Sequence, residues 1–197
     1  IGIIDSGISD DNLALKDYIY LREKYVADEY INPSHGTFVA STIQYGDRLN
    51  DIDNGNNKMF KFLDVVALPN SDENYGLIDS VSEDELMEII DDVVSKHSDK
   101  VKIWNLSLGN ESKICDGSIS DLAIFCDFIQ DKYNVQFFIS SGNKNSLPLR
   151  EWPSQITDDS DRIISPADSV RAVTVGSIAL TESTDSLVKK DEPSPFS

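Results

Sequence analysis

The sequence predicts an α/β fold, a doubly wound and mostly parallel sheet flanked by helices. Three observations carry this reading: near-continuous apolar runs, amphipathic helical stretches between them, and glycine-bearing turns that directly follow some of the runs. Continuous apolar runs suit strands buried on both faces of a parallel sheet, and their alternation with helices builds the doubly wound layers. In such sheets ligand sites gather beyond the carboxyl ends of the strands.

The elements follow in chain order. Strands are expected at Ile1 to Ile4, Phe60 to Leu68, Val101 to Leu108, Val135 to Ser140 and Val170 to Val175. A helix begins around His35 and carries Phe38, Val39, Thr42 and Ile43 at helical spacing. A second opens with Ser82-x-x-Glu85, a capping box, and places Leu86, Ile89, Ile90, Val93 and Val94 on one face. A third spans about Ser120 to Tyr133, with Leu122, Ala123, Cys126, Ile129 and Gln130 spaced for one buried side. Asn50 to Lys58 and Ser146 to Ser160 are polar and rich in turn residues, and read as surface loops. No internal repeat or linker divides the chain, so 1–197 reads as a single domain.

Composition bounds the function. The 197 residues are 40% hydrophobic and 26% charged, the balance of a globular protein. Seventeen basic residues against 35 acidic ones give a formal charge of -18, which repels phosphate backbones and anionic lipid. Nucleic-acid and membrane partners are therefore not expected, and no 18-residue apolar stretch offers a transmembrane helix. A cationic peptide would be attracted, although surface charge of this kind also serves solubility alone. The two cysteines, Cys115 and Cys126, form neither a disulfide framework nor a metal-ligand spacing, and Cys126 reads as a small core residue.

The residues that carry chemistry sit next to glycines. Asp5 ends the first apolar run and Gly7 follows it, which suits a carboxylate that receives an imidazole Nδ1–H, or equally a turn aspartate capping its own backbone. His35 precedes Gly36, whose missing side chain permits close backbone approach, and its imidazole titrates near neutrality as a general base should. The other histidine, His97, closes a helix and reads as a structural group favoured by the helix dipole. After the Val135 run comes Ser141-Gly142-Asn143, where an Asn amide is placed to donate to a developing oxyanion. Asn105-Leu106-Ser107-Leu108-Gly109 ends another run with a glycine, leaving backbone groups for an extended peptide to pair with.

Taken together these segments resemble the subtilisin-like serine proteases, the subtilases. Asp5-Ser6-Gly7-Ile8 is similar to the family's acid motif, and His35-Gly36-Thr37-Phe38-Val39-Ala40, 30 positions after Asp5, to its histidine motif. Asn105 to Gly109 resembles the substrate-binding strand and Ser141 to Asn143 the oxyanion segment. Ser165-Pro166-Ala167, Ala172 to Gly176 and Pro195-Phe196-Ser197 extend the likeness across the whole chain. The resemblance implies Asp5 as the residue that orients His35, His35 as base and then acid, and Asn143 as oxyanion donor. It also implies that Ser107, Leu108 and Gly109 on one side, with Ser141 and Gly142 on the other, flank the peptide near its specificity pocket.

The expected nucleophile is missing from the pattern. Ser6, Ser34, Ser141 and Ser197 all lack Gly-Thr-Ser or Gly-x-Ser-x-Gly surroundings. The expectation is thus a truncated subtilase domain, incomplete at its C-terminal side and inactive alone. The serine of its Asp-His-Ser triad would lie outside these residues, and another segment or chain would cover the exposed core. The long polar stretch from Ser146 to Ile164 resembles bacterial members without a secretion signal, which favours a bacterial cytoplasmic setting. No cofactor is required. Structural calcium is compatible with the acidic loops, but no spacing identifies a site. Glu111 and Asp116, close after Gly109, permit a preference for Lys or Arg in the substrate. Two alternatives differ in class: a non-catalytic module of the same fold that binds peptides or proteins, and a nucleotide-binding domain. The second fails because neither Gly-x-Gly-x-x-Gly nor a P-loop follows any run.

Overall fold

Each of the five apolar runs contains a strand, and each amphipathic stretch is a helix. The computed structural model describes residues 1–52, 59–69, 81–114, 116–143, 147–149, 151–154 and 162–195. Cys115, the acidic cluster Asp158, Asp159 and Asp161, much of the two polar loops, Phe196 and Ser197 lie outside the described residues, as does the side chain of Glu111. Two units divide the chain: Ile1–Ser107 with Tyr133–Val135, and Leu108–Lys132 with Gln136–Ser197.

The first unit holds β1 (Gly2–Asp5), β2 (Ile19–Lys24), β3 (Phe62–Val66) and β4 (Ile103–Leu106), in the order β2-β3-β1-β4. All three pairings are parallel, with Asp5 opposite Val66 and Gly2 opposite Trp104. β1 is buried along its whole length, as a central apolar strand must be. Gly2 is required there because a Cβ would overlap the ring of Trp104, itself fully buried. Helix α1 (Ser34–Leu49) buries Gly36, Val39, Ala40 and Gln44. Val39 and Ala40 join Ile3, Ile8, Leu15 and Phe62 in one apolar cluster. Helix α2 (Glu83–His97) begins with the expected capping box, Ser82 accepting from the Glu85 N–H while Glu85 accepts from the Ser82 N–H. At its other end His97 bonds Glu23 of β2 at 2.9 Å, the structural role expected of it.

The second unit contains the antiparallel pair β5 (Asn110–Ile114) and β7 (Ile164–Ser165), and the parallel pair β6 (Gln136–Ser140) and β8 (Val173–Val175). Helix α3 (Asp121–Tyr133) buries Leu122, Ala123, Cys126, Ile129 and Gln130, the stripe read from the sequence. Its start is fixed by Asp168, which accepts from the Ser120 N–H and hydroxyl at 2.6 and 2.8 Å. Asp127 on the same helix accepts from the backbone of Val170 and Arg171. The segment after β7 is thereby tied to α3 at two points. Cys126 has the inert chemistry of a core residue, since burial pushes its thiol up to about 12. Among the described residues no helix is long and apolar enough to cross a membrane.

Candidate active site

Asp5 and His35 are brought together within the first unit. β1 carries Asp5 to the carboxyl end of the sheet, and the chain turns at once through Gly7, whose φ of 99° suits glycine. Asp5 is fully buried, and its carboxylate accepts from the Ser6 N–H at 2.7 Å. His35, in the first turn of α1, sets Nδ1 2.8 Å from Asp5 Oδ1 and 3.0 Å from Oδ2. A carboxylate only accepts, so Nδ1 carries the proton and the neutral ring keeps its lone pair on Nε2. About half of the imidazole remains exposed. The hydrogen bond that His35 donates to Asp5 raises the His35 pKa above its ordinary value, against the opposing effect of burial.

The distance depends on two glycines and two hydroxyls. A Cβ at Gly36 would overlap the Gly7 carbonyl oxygen and lie 2.9 Å from its carbon, so only glycine lets α1 approach the turn this closely. Ser6 Oγ accepts from the Gly36 N–H at 3.2 Å, and Thr37 Oγ1 accepts from the Ser9 N–H at 2.8 Å. Both bonds join the loop after Asp5 to the helix that carries His35, and the first satisfies a donor of the first helical turn.

The remaining predicted residues divide between the units. Ser107 belongs to the first, where its hydroxyl donates to Asn105 Oδ1 at 3.1 Å. Leu108, Gly109, Ser141, Gly142 and Asn143 belong to the second. Ser141, Gly142 and Asn143 follow β6 directly, the Ser141 N–H donating to Val175 O at 2.9 Å. Gly142 has φ 148°, and the Asn143 that follows is exposed.

The model of the subtilase family, Peptidase S8, matches residues 1–197. The chain belongs to the subtilase family. A curated relative of this subtilase, the uncharacterized protein y4bN of Sinorhizobium fredii, is 27% identical over 114 residues, 49% of this chain and 26% of that protein. Among solved structures, a mutant of the protease domain of PatA superposes with a TM-score of 0.58 at 16% identity, covering 99% of this chain and 60% of that one. The prenylagaramide maturation protease PagA gives 0.56 at 15% identity, with coverages of 97% and 56%. At such identities the likeness is one of fold, and it confirms the α/β, mostly parallel architecture. This subtilase chain thus spans about a quarter of the curated relative and under two thirds of the two solved chains.

Two supporting residues went unread in the sequence. Asp64, in the middle of β3, is buried and accepts from Arg22 Nε at 2.7 Å and from the Ile8 N–H at 3.1 Å. Burial raises its pKa, against the opposing pull of Arg22 and the Ile8 N–H. The Arg22 guanidinium also donates to Ile8 O, so the two side chains brace both backbone groups of the residue that leaves the Asp5 turn. The signal was available as a single carboxylate inside the apolar run Phe62-Leu63-Asp64-Val65-Val66. The second is Ile164, which packs against Gly109 and Gly142. Among the described residues no group of three or more His, Cys, Asp or Glu side chains could hold a metal ion.

Proposed function

We propose that this chain is the acid-and-base-bearing part of a serine endopeptidase that hydrolyses peptide or protein substrates through an acyl-enzyme. The observation that carries the reading is the Nδ1 of His35 against both oxygens of the buried Asp5, at 2.8 and 3.0 Å. This fixes the tautomer that leaves Nε2 free to accept a proton. In the proposed reaction a serine hydroxyl, supplied by residues not among these 197, gives its proton to Nε2 as it attacks the substrate carbonyl. The imidazolium so formed is stabilised by Asp5 and then protonates the leaving amine. Water, activated by the same ring, releases the acyl group. Asn143 is assigned to the oxyanion, and Ser107, Leu108, Gly109, Ser141 and Gly142 to the substrate. Membership in the subtilase family supports these roles. No cofactor is given a step.

A non-catalytic peptide-binding module of the same fold has no chemical use for an Asp–His pair held this way. The test is fluorophosphonate labelling of the full-length protein that contains this chain. Labelling is expected, and His35→Ala should abolish it. An unlabelled wild-type protein that is folded would leave the binding module as the better account.

A further inference from the structure

We propose that Ile164 sets the specificity of this site by filling the space between Gly109 and Gly142, so that the residue on the acyl side of the scissile bond must be small: glycine, alanine or serine. The inference rests on the protease reading above, which makes the Leu108-Gly109 and Ser141-Gly142 segments the two walls flanking the substrate side chain. All the residues it uses belong to the second unit.

The missing Cβ positions of the two glycines converge on one side chain. A Cβ on Gly109 would lie 2.6 Å from Ile164 Cδ1 and 3.0 Å from Cγ1, and one on Gly142 would lie 3.3 Å from Cγ1 and 3.5 Å from Cδ1. Both walls are bare, and bareness alone would leave room for a large side chain. Ile164 takes that room, its terminal Cδ1 nearest the Cβ position of Gly109 and its Cγ1 nearest that of Gly142.

The plug is held by backbone. Ile164 donates its N–H to Ser141 O at 3.1 Å, which binds it to one wall, while β7 pairs with β5 beyond the other. Three residues on, the Ala167 N–H returns to Ile164 O at 2.7 Å, and Asp168 is clamped to the start of α3. A β-branched residue on a strand also has few rotamers with which to move aside. A leucine, phenylalanine or lysine side chain entering between the walls would therefore overlap the Cγ1 and Cγ2 carbons that χ1 holds in place, which a swing of the terminal Cδ1 methyl alone does not clear. The side chain at this position is also apolar, so it offers no carboxylate to an incoming cation. The net charge of -18 draws basic peptides from a distance, but contact at the walls is decided by volume. The preference for Lys or Arg that the acidic balance permits gives way to a preference for small residues.

The experiment uses the full-length protein and reads two quantities. Fluorophosphonate labelling reports the protease reading by itself. Quenched peptides differing only at the residue on the acyl side then report specificity. Alanine is expected to exceed leucine, phenylalanine and lysine in kcat/KM by about tenfold or more, the discrimination a filled apolar pocket gives. Ile164→Ala should shift the leucine-to-alanine ratio toward leucine by about tenfold, and Ile164→Val by a smaller factor in the same direction. Because the ratio is taken on one preparation, partial unfolding of a variant does not move it. Absent labelling overturns the protease reading and this inference with it. A labelled enzyme that cleaves after phenylalanine or lysine as fast as after alanine overturns the inference alone. So does a ratio that neither variant changes, which would make Ile164 packing and nothing more.

Discussion

The Asp5–His35 pair and the segments proposed to flank the substrate are built by opposite means. Asp5 and His35 are fixed by backbone and buried polar bonds: a fully enclosed carboxylate, a helix start seated on a turn, and Ser6, Thr37 and Asp64 holding those pieces in place. The walls in the second unit are fixed by two short strands and one apolar side chain, with Asn143 left exposed beside them. Proton transfer between fixed partners tolerates little play, whereas peptide recognition needs accessible backbone edges and an adjustable volume. Substitution should therefore behave differently in the two regions.

The largest effect is expected at Asp5. Asp5→Asn keeps the shape but removes the charge that holds the tautomer and stabilises the imidazolium, and kcat of the full-length enzyme should fall by about a thousandfold to ten-thousandfold. The pH profile gives an independent readout. Because Asp5 raises the His35 pKa, the acid limb of kcat/KM in the wild type should have its midpoint above about 6.5. The base is available only above that midpoint, and Asp5→Asn should move the limb to lower pH. The stability that the pair contributes follows the same shift. It is fully present below the ordinary histidine value and is lost as pH rises through the raised one, so the variant's deficit should be larger near pH 6 than near pH 9. An unchanged acid limb would show that Asp5 does not act through His35.

Gly36→Ala comes next. The added methyl meets backbone, the Gly7 carbonyl, which no rotamer change can clear. Helix α1 must lift from the turn, at a cost of about 1–3 kcal/mol measured by denaturant unfolding. The lift also carries His35 away from Asp5, and a displacement on the order of 1 Å is worth about a hundredfold in kcat. A variant with wild-type stability and activity would show that the acid–base half is as adaptable as the walls.

What the sequence revealed follows the same division. The apolar runs, the capping box and the Asp5 and His35 motifs are local signals, and each sits where it was read. β2 went unread because, among the described residues, Ile-Tyr-Leu-Arg-Glu-Lys pairs only with β3, at the end of the first unit's strand order, and half of it is exposed. An edge strand has no continuous apolar run to show. β5 and β7 went unread because their pairing joins segments some 50 positions apart and β7 has only two residues. The same distance hid Ile164, an ordinary isoleucine in sequence that acquires meaning only when two remote glycines close on it. Asp64 was legible in principle, since a carboxylate inside an apolar strand demands a partner. Which partner it has, Arg22 and the Ile8 N–H, is a property of the folded chain.

The smallest effect is expected at Gly109, and it bears most directly on the comparison. Gly109→Ala makes the same chemical change as Gly36→Ala, and its nearest neighbour is also too close, but that neighbour is Ile164 Cδ1 at 2.6 Å, the free end of a side chain. A terminal methyl can swing at the cost of an off-rotamer torsion, about 0.5–1.5 kcal/mol, where a carbonyl cannot move without its helix or turn. Ser165 O, at 3.3 Å, adds only a tight contact. The loss of stability should stay below about 1.5 kcal/mol, and Ile164→Val in the same chain should recover part of it by withdrawing the very methyl that clashes. The pair is thus coupled, and a double-mutant cycle on unfolding free energy should give a positive interaction of about 0.5 kcal/mol or more. If the two changes simply add, Ile164 does not occupy the space that Gly109 leaves, and the walls are set by backbone just as the acid and base are.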